Sequence, residues 1–312
     1  MIKKLTPVIS LFFFTFFYVS VLLWLDIESK YFDNFYDFAS ILLLLVTITA
    51  FSLFMRYLRW LWLLKANIKN SLDINYMFAY FSGFAYTASP GKIGELIRIR
   101  YFNKINISSL KVFSAFVFER LFDLIVVFIL CLFAINDNNS VVFAFIFVLS
   151  VLLFIFFLAT NTSFLPKLFP RFGYFNKLLV FIAKALGDLR EWFNPLDILV
   201  SLTIGLISWS AISIAFVILA SHLNINLPLY IIFSIYPLAM LVGAASMIPA
   251  GFGTTEATII YLLSLYEVPF EISLIAAIGI RISTLWFSIL IGIISIIILE
   301  IKFLCKNNYE NT

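Results

Sequence analysis

The chain is 312 residues long, 63% hydrophobic and only 12% charged, against roughly 45–50% apolar and about 25% charged residues in soluble globular domains. That composition excludes a water-soluble enzyme. Runs such as 41–46 and 289–299 are apolar on all sides, without the alternation of a transmembrane barrel, so the expected class is an all-α polytopic membrane protein.

The N-terminus carries Lys3 and Lys4 and then an apolar stretch ending at Leu25. It is longer than the apolar core of a secretory signal and meets Asp26 rather than a small-residue cleavage site, so an uncleaved first span is expected. At roughly 20 apolar residues per crossing, six stretches qualify: Pro7–Leu25, Phe38–Trp62, Val112–Ile135, Val141–Thr160, Ile198–Ser221 and Glu271–Leu299. Tyr76–Ser89 and Tyr230–Ile248 are apolar but run into Pro/Gly clusters, which reads as re-entrant helix pairs. Between the fourth and fifth spans, Tyr174–Trp192 places Leu178, Phe181, Ala185, Leu189 and Trp192 three or four apart among charges. It reads as an amphipathic helix on the inner surface or as a plain connector.

Lys and Arg accumulate on the cytoplasmic side of a membrane. With both termini inside, all of the 21 basic residues except Lys30, Arg120 and Arg281 fall on the inner side, while the outer loops carry Asp26, Glu28, Asp33, Asp37, Asp137, Glu267 and Glu271. The net charge of +4 thus reports orientation, and no nucleic-acid partner is expected. The charge pattern holds only if both re-entrant pairs enter and leave on one side, the first from the cytoplasm and the second from outside.

Each half, about 1–139 and 140–312 of what reads as one transmembrane domain, then has three spans and one re-entrant pair. Three is odd, so the halves have opposite orientation, a 3+3 inverted repeat. The residues carry the same signal. One turn-back contains Pro90, Gly91, Gly94 and Glu95, the other Pro249, Gly251, Gly253 and Glu256, and 25 residues separate Glu95 from Arg120 and Glu256 from Arg281. Broken helices in inverted repeats are a recurrent plan of transporters, with substrate held at the repeat interface. New half-helices are expected from Ile93 and from about Thr255, with Ser89 and Thr254 as N-caps and a carboxylate, Glu95 or Glu256, in each first turn.

Arg281 lies ten residues past Glu271, about 15 Å into its span, and Arg120 eight residues past Val112, about 12 Å in. Glu119 and Asp123 share a helix face with Arg120. Charges at such depth face a cavity or a partner. Either Glu95, Glu119, Asp123 and Glu256 neutralise the two arginines, or the arginines bind an anionic group such as a lipid phosphate; the two readings are compatible. Arg98 and Arg100 are weaker candidates that snorkelling at the inner surface explains. Cys131 and Cys305 lack CxxC spacing and His222 is the single histidine, so neither a disulfide framework nor a metal site is expected. No nucleotide-binding phosphate loop is present, and no cofactor is expected.

The stretch SPGKIGELIRIRYF from Ser89, preceded by Arg56, Arg59 and Trp60, with FERLFD from Phe118, MIPAGFGTTEA from Met247 and the span bearing Arg281, resembles the lysylphosphatidylglycerol synthase transmembrane region, also called the flippase-like domain. The resemblance covers nearly the whole chain. It implies a multi-pass protein of a bacterial or archaeal cell membrane that moves a lipid or lipid-linked head group between leaflets. The full synthases carry a large soluble aminoacyltransferase domain, and these 312 residues contain none, so aminoacylation is not carried over. The expectation is a lipid translocator whose partners are membrane lipids, with Arg120, Arg281, Glu95, Glu119, Asp123, Glu256 and Arg98 as candidate binding residues. The alternative is a membrane subunit or partner of a lipid-modifying aminoacyl- or glycosyltransferase.

Overall fold

The computed structural model describes residues 35–65, 73–132 and 187–310, together with 150, 180, 181, 184 and 185. The expected span Pro7–Leu25 lies outside these residues, as does Val141–Thr160 apart from Ser150. Among the described residues every regular element is helical.

Nine α-helices follow in chain order: α1 (Phe35–Leu63), α2 (Ile74–Phe81), α3 (Arg98–Asn103), α4 (Ser109–Cys131), α5 (Pro195–His222), α6 (Leu229–Ala245), α7 (Thr254–Ser264), α8 (Phe270–Arg281) and α9 (Phe287–Glu310), counted among the described residues. Among the described residues, three stretches are long and apolar enough to cross a membrane: Ser40–Leu63, Pro195–His222 and Phe270–Cys305. Ser109–Cys131 has 23 residues and so the length, but it carries Lys111, Glu119, Arg120 and Asp123.

Local chemistry sets the helix starts. Asp73 accepts from the Asn75 amide at 2.9 Å ahead of α2, Ser108 from the Lys111 amide at 3.3 Å ahead of α4, and Asn194 from the Asp197 amide at 2.9 Å ahead of α5, each satisfying a donor the first turn leaves open. Pro195 occupies the first turn of α5, where a missing N–H costs nothing. Between α8 and α9 the chain makes a π turn, Ile282–Trp286, of the kind common at functional sites.

The two breaks differ in detail from expectation. After α2 the chain tightens into 3-10 turns at Ser82–Tyr86 and Pro90–Ile97, and α-helix resumes only at Arg98. Ser89 takes the N-cap position, but its hydroxyl accepts from the Gly94 amide at 2.6 Å and not from the first turn. In the second break a 3-10 turn, Pro249–Gly251, precedes α7, whose N-cap is Gly253 at φ 76° rather than Thr254. Thr254 turns its hydroxyl back to the Gly251 carbonyl at 3.1 Å, and Glu256 does occupy the first turn.

α1 and α5 run antiparallel: Ser52 donates to the Ser208 carbonyl at 2.8 Å and the Trp62 indole to Asp197 at 2.7 Å. Each broken stretch packs against a helix distant in sequence. α6 lies on α4, where Ser234 donates to the Leu130 carbonyl at 3.0 Å. α9 lies on α2 and on the turn Ser82–Tyr86, so closely that a Cβ on Gly292 would strike the Ala85 amide nitrogen. The described part of the Tyr174–Trp192 segment is packed inward: Ala185, Leu189 and Trp192 are buried, and the Trp192 indole donates to the Leu63 carbonyl at 3.0 Å.

Two apolar cores result. One gathers Val126–Cys131 of α4 with α5, α6, α7 and α8; the other gathers the end of α1, α2, α3 and Val112–Phe122 of α4. Polar residues of α1 and charged residues of α4 fall between the cores, and there the two breaks also touch.

Candidate functional site

Most of the buried charge of the described residues collects at this junction. Asp123 holds the Arg59 Nη2 at 2.6 Å, and Glu119 lies 3.4 Å from the same nitrogen. Glu119 also accepts from the Tyr80 hydroxyl at 2.7 Å and from Arg98 at 3.4 Å. Glu95 binds the Arg98 Nη2 at 2.8 Å and accepts from the Thr87 hydroxyl at 3.1 Å. Arg120 lies 3.3 Å from Glu119, 3.4 Å from Asp123 and 3.9 Å from Glu95, yet its Nε and Nη2 make no hydrogen bond. Three cations and three carboxylates thus neutralise each other away from water, where an unpaired charge would be costly.

Arg98 is the clearest departure from expectation. It is fully buried rather than at the inner surface, enclosed by the rings of Trp60 at 4.8 Å, Tyr80 at 4.7 Å, Phe84 at 5.8 Å and Phe116 at 5.8 Å. Two carboxylates and four aromatic faces replace the water a guanidinium would otherwise need. Arg56 and Arg59 are likewise buried, at 8% and 0% exposure, although their place near the end of an apolar span reads as cytoplasmic. The i, i+3 spacing that puts both on one face of α1 is the signal that could have found them.

The second break carries a simpler arrangement. Arg281 donates from Nε to Glu256 at 2.9 Å and from Nη2 to the Ala250 carbonyl at 2.6 Å, so the last turn of α8 is tied to the first turn of α7 and to the break itself. The matched 25-residue spacing therefore yields a close ion pair at the second break, whereas at the first Arg98 takes Glu95 at 2.8 Å and Arg120 stands 3.9 Å from it.

Two adjoining cavities open beside these groups. The smaller, about 70 Å³, is lined by Arg56, Lys92, Glu95 and Arg281 and by hydroxyls including Thr49 and Thr284. The larger, about 200 Å³, is lined by Lys92, Arg120, Asp123, Ser89 and Thr255 together with apolar residues such as Leu124, Val127 and Leu241. Lys92, Trp209, Met240 and Ala250 belong to both, so each break contributes to the shared wall. Glu119, Glu256 and Arg98 line neither and act on the cavities through their partners. Pro90 opens the 3-10 stretch of the first break, and a Cβ on Gly94 would lie 2.7 Å from the Tyr86 carbonyl oxygen; Gly251, at φ 65°, lets the second pass Gly243, whose Cα would lie 3.1 Å from an added Cβ. Tyr236 and Thr284 join hydroxyls at 3.0 Å at the π turn.

Arg56, Arg59, Lys92, Arg98, Arg120 and Arg281 face Glu95, Glu119, Asp123 and Glu256 around the two cavities. That is an excess of two positive charges. No group of three or more metal-ligating side chains exists among the described residues.

These features define a helical membrane protein with a cation-lined interior between two broken helices. The chain belongs to the lysylphosphatidylglycerol synthase transmembrane region family, whose model matches residues 7–292. No curated protein matches it significantly. Membership is consistent with a membrane lipid-related role.

Proposed function

We propose that this protein translocates an anionic or phosphate-bearing lipid, or a lipid-linked head group, between the leaflets of a bacterial or archaeal cell membrane. The observation that carries the reading is the shared wall: both helix breaks meet at one pair of cavities whose lining combines cationic side chains with a larger apolar surface. Such a site suits an amphiphile with a negatively charged head. The packing of the broken stretches on helices distant in sequence and the antiparallel α1 and α5 support a 3+3 inverted repeat, in which alternating access is a rocking of one half against the other. Transport runs downhill or is coupled to the membrane potential or to protons. Within this reading the termini are cytoplasmic and the protein itself transfers no group.

The test is reconstitution. Proteoliposomes containing the full chain and a fluorescent phosphatidylglycerol or phosphatidic acid analogue should expose inner-leaflet probe to a membrane-impermeant quencher faster than protein-free liposomes. Equal rates across several anionic lipids and a polyprenyl phosphate would end the proposal. The family description, which names a synthase, favours a second reading: a membrane subunit or partner of a lipid-modifying transferase. Co-purification of such an enzyme, with activity lost on removal of this protein, would favour it.

A further inference from the structure

The cations around the cavities fall into two groups. Arg59, Arg98 and Arg281 each lie within 2.9 Å of a carboxylate oxygen, and Arg120 within 3.4 Å of two. Arg56 and Lys92 stand in no ion pair among the described residues. Arg56 is nine-tenths buried, its guanidinium rests 4.5 Å from the Trp209 ring, and its Nε has no hydrogen-bond partner. The Trp209 indole N–H, which walls both cavities, and the Thr49 hydroxyl beside the smaller one are also buried without partners. The side of the cavities near Arg56 therefore presents two uncompensated cations and three unanswered hydrogen-bonding groups, all able to donate.

Resting on the lipid-binding reading above, we propose that Arg56 and Lys92, and not the paired arginines Arg120 and Arg281, hold the ligand, and that its recognised group is a phosphate whose apolar tail occupies the larger cavity. A phosphate suits this wall because it offers several acceptor oxygens and carries one or two negative charges. Lys92 belongs to both cavities, so a phosphate at its ammonium sits where the more polar space meets the more apolar one. Arg281 is less available, because recruiting it loosens Glu256 and releases the Ala250 carbonyl; Arg120, although its Nε and Nη2 make no hydrogen bond, is charge-balanced by Glu119 and Asp123 at 3.3 and 3.4 Å. Their role is to hold the breaks in shape.

Equilibrium binding to the full-length protein in mild detergent, by calorimetry, tests this with three probes: dioctanoyl phosphatidic acid, dioctanoylglycerol and inorganic phosphate. The phosphatidic acid should bind, the uncharged diacylglycerol at least about tenfold more weakly, and inorganic phosphate more weakly than the lipid because it leaves the apolar space unfilled. R56Q and K92Q should each lower phosphatidic acid affinity about tenfold or more. R56K, which keeps the charge, should retain more than R56Q, a graded response that guards against loss through misfolding. Wild-type affinity in both R56Q and K92Q overturns the residue assignment; equal binding of the diacylglycerol overturns the phosphate; equal binding of inorganic phosphate overturns the placement of the tail. If the binding pattern holds while proteoliposomes show no lipid movement, translocation falls and the site assignment stands.

Discussion

Replacing Glu119 by Gln keeps the side-chain volume and an acceptor for the Tyr80 hydroxyl but removes the charge three guanidiniums share. Arg59, Arg98 and Arg120 lie 3.4, 3.4 and 3.3 Å from its oxygens, all at a site closed to water on the Glu119 side. At such a separation and an effective dielectric of about 20, each contact amounts to roughly 5 kcal/mol of attraction, most of it offset by desolvation. Breaking a buried pair from one side costs about 3–5 kcal/mol. At about 2–4 °C per kcal/mol for domains of comparable size, Glu119→Gln should lower Tm by ~6 °C or more. The measurement is thermal unfolding of detergent-purified protein followed by fluorescence-detected size exclusion. The double variant Glu119→Gln/Arg59→Gln restores the balance of charge and should unfold at a higher temperature than the sum of the single losses implies. A single variant within about 2 °C of wild type, or strictly additive losses, would refute the account of Glu119 as the hub of the network.

Three further outcomes follow from the packing and the proposed topology. Gly292→Val should separate α9 from the turn Ser82–Tyr86, because even a Cβ there meets backbone; a clear fall in Tm is expected, and an unchanged Tm would show the contact to be loose. Gly251→Ala places a side chain at φ 65° with the Thr255 hydroxyl 2.6 Å from its Cβ, so a loss of at least ~1–2 kcal/mol in unfolding free energy is expected. In a Cys131→Ser/Cys305→Ser background, Ile93→Cys and Met247→Cys, at positions 62% and 61% exposed, should react with an impermeant thiol reagent from opposite sides of the membrane. Reaction of both from one side would contradict the inverted repeat.

Much of the architecture was legible in composition. Unbroken apolar runs mark α1, α5 and the α8–α9 span, and Pro with paired Gly marks both breaks, because such residues interrupt a helix whatever surrounds them. The site was legible only in part. Glu95, Arg120, Glu256 and Arg281 were identified from spacing, and Glu256–Arg281 does pair directly. Arg120 beside Glu119 and Asp123 is legible in the same way; Arg59, which both carboxylates also hold, is not, because it belongs to another helix and its burial depends on α4 and α5 packing against it. Arg98 was assigned to the surface because a basic residue after a break has the same spacing whether it snorkels or turns inward; only the aromatic cage contributed by Trp60, Tyr80, Phe84 and Phe116 decides between them, and those side chains converge from four separate segments. The resumption of helix at Arg98 rather than Ile93 likewise depends on tertiary contacts that local propensity does not contain.

Each break carries, soon after its proline, a non-glycine residue in the left-handed region: Lys92 at φ 57° and Ala250 at φ 54°. Such a conformation costs an L-residue roughly 1 kcal/mol or more; each turn is closed by a short-range bond, Lys92 N–H to Ser89 at 3.0 Å and Gly251 N–H to Ile248 at 2.8 Å, and the second is also held by Arg281 on the Ala250 carbonyl. Opening either turn relieves that backbone strain, in the second break at the expense of the Arg281–Ala250 hydrogen bond. Within an otherwise tightly packed interior, amide protons around 90–97 and 249–253 should therefore exchange with solvent ahead of those in α1 and α5. Both residues line the two cavities, so these early-opening turns would bring the two spaces together while the long helices stay intact.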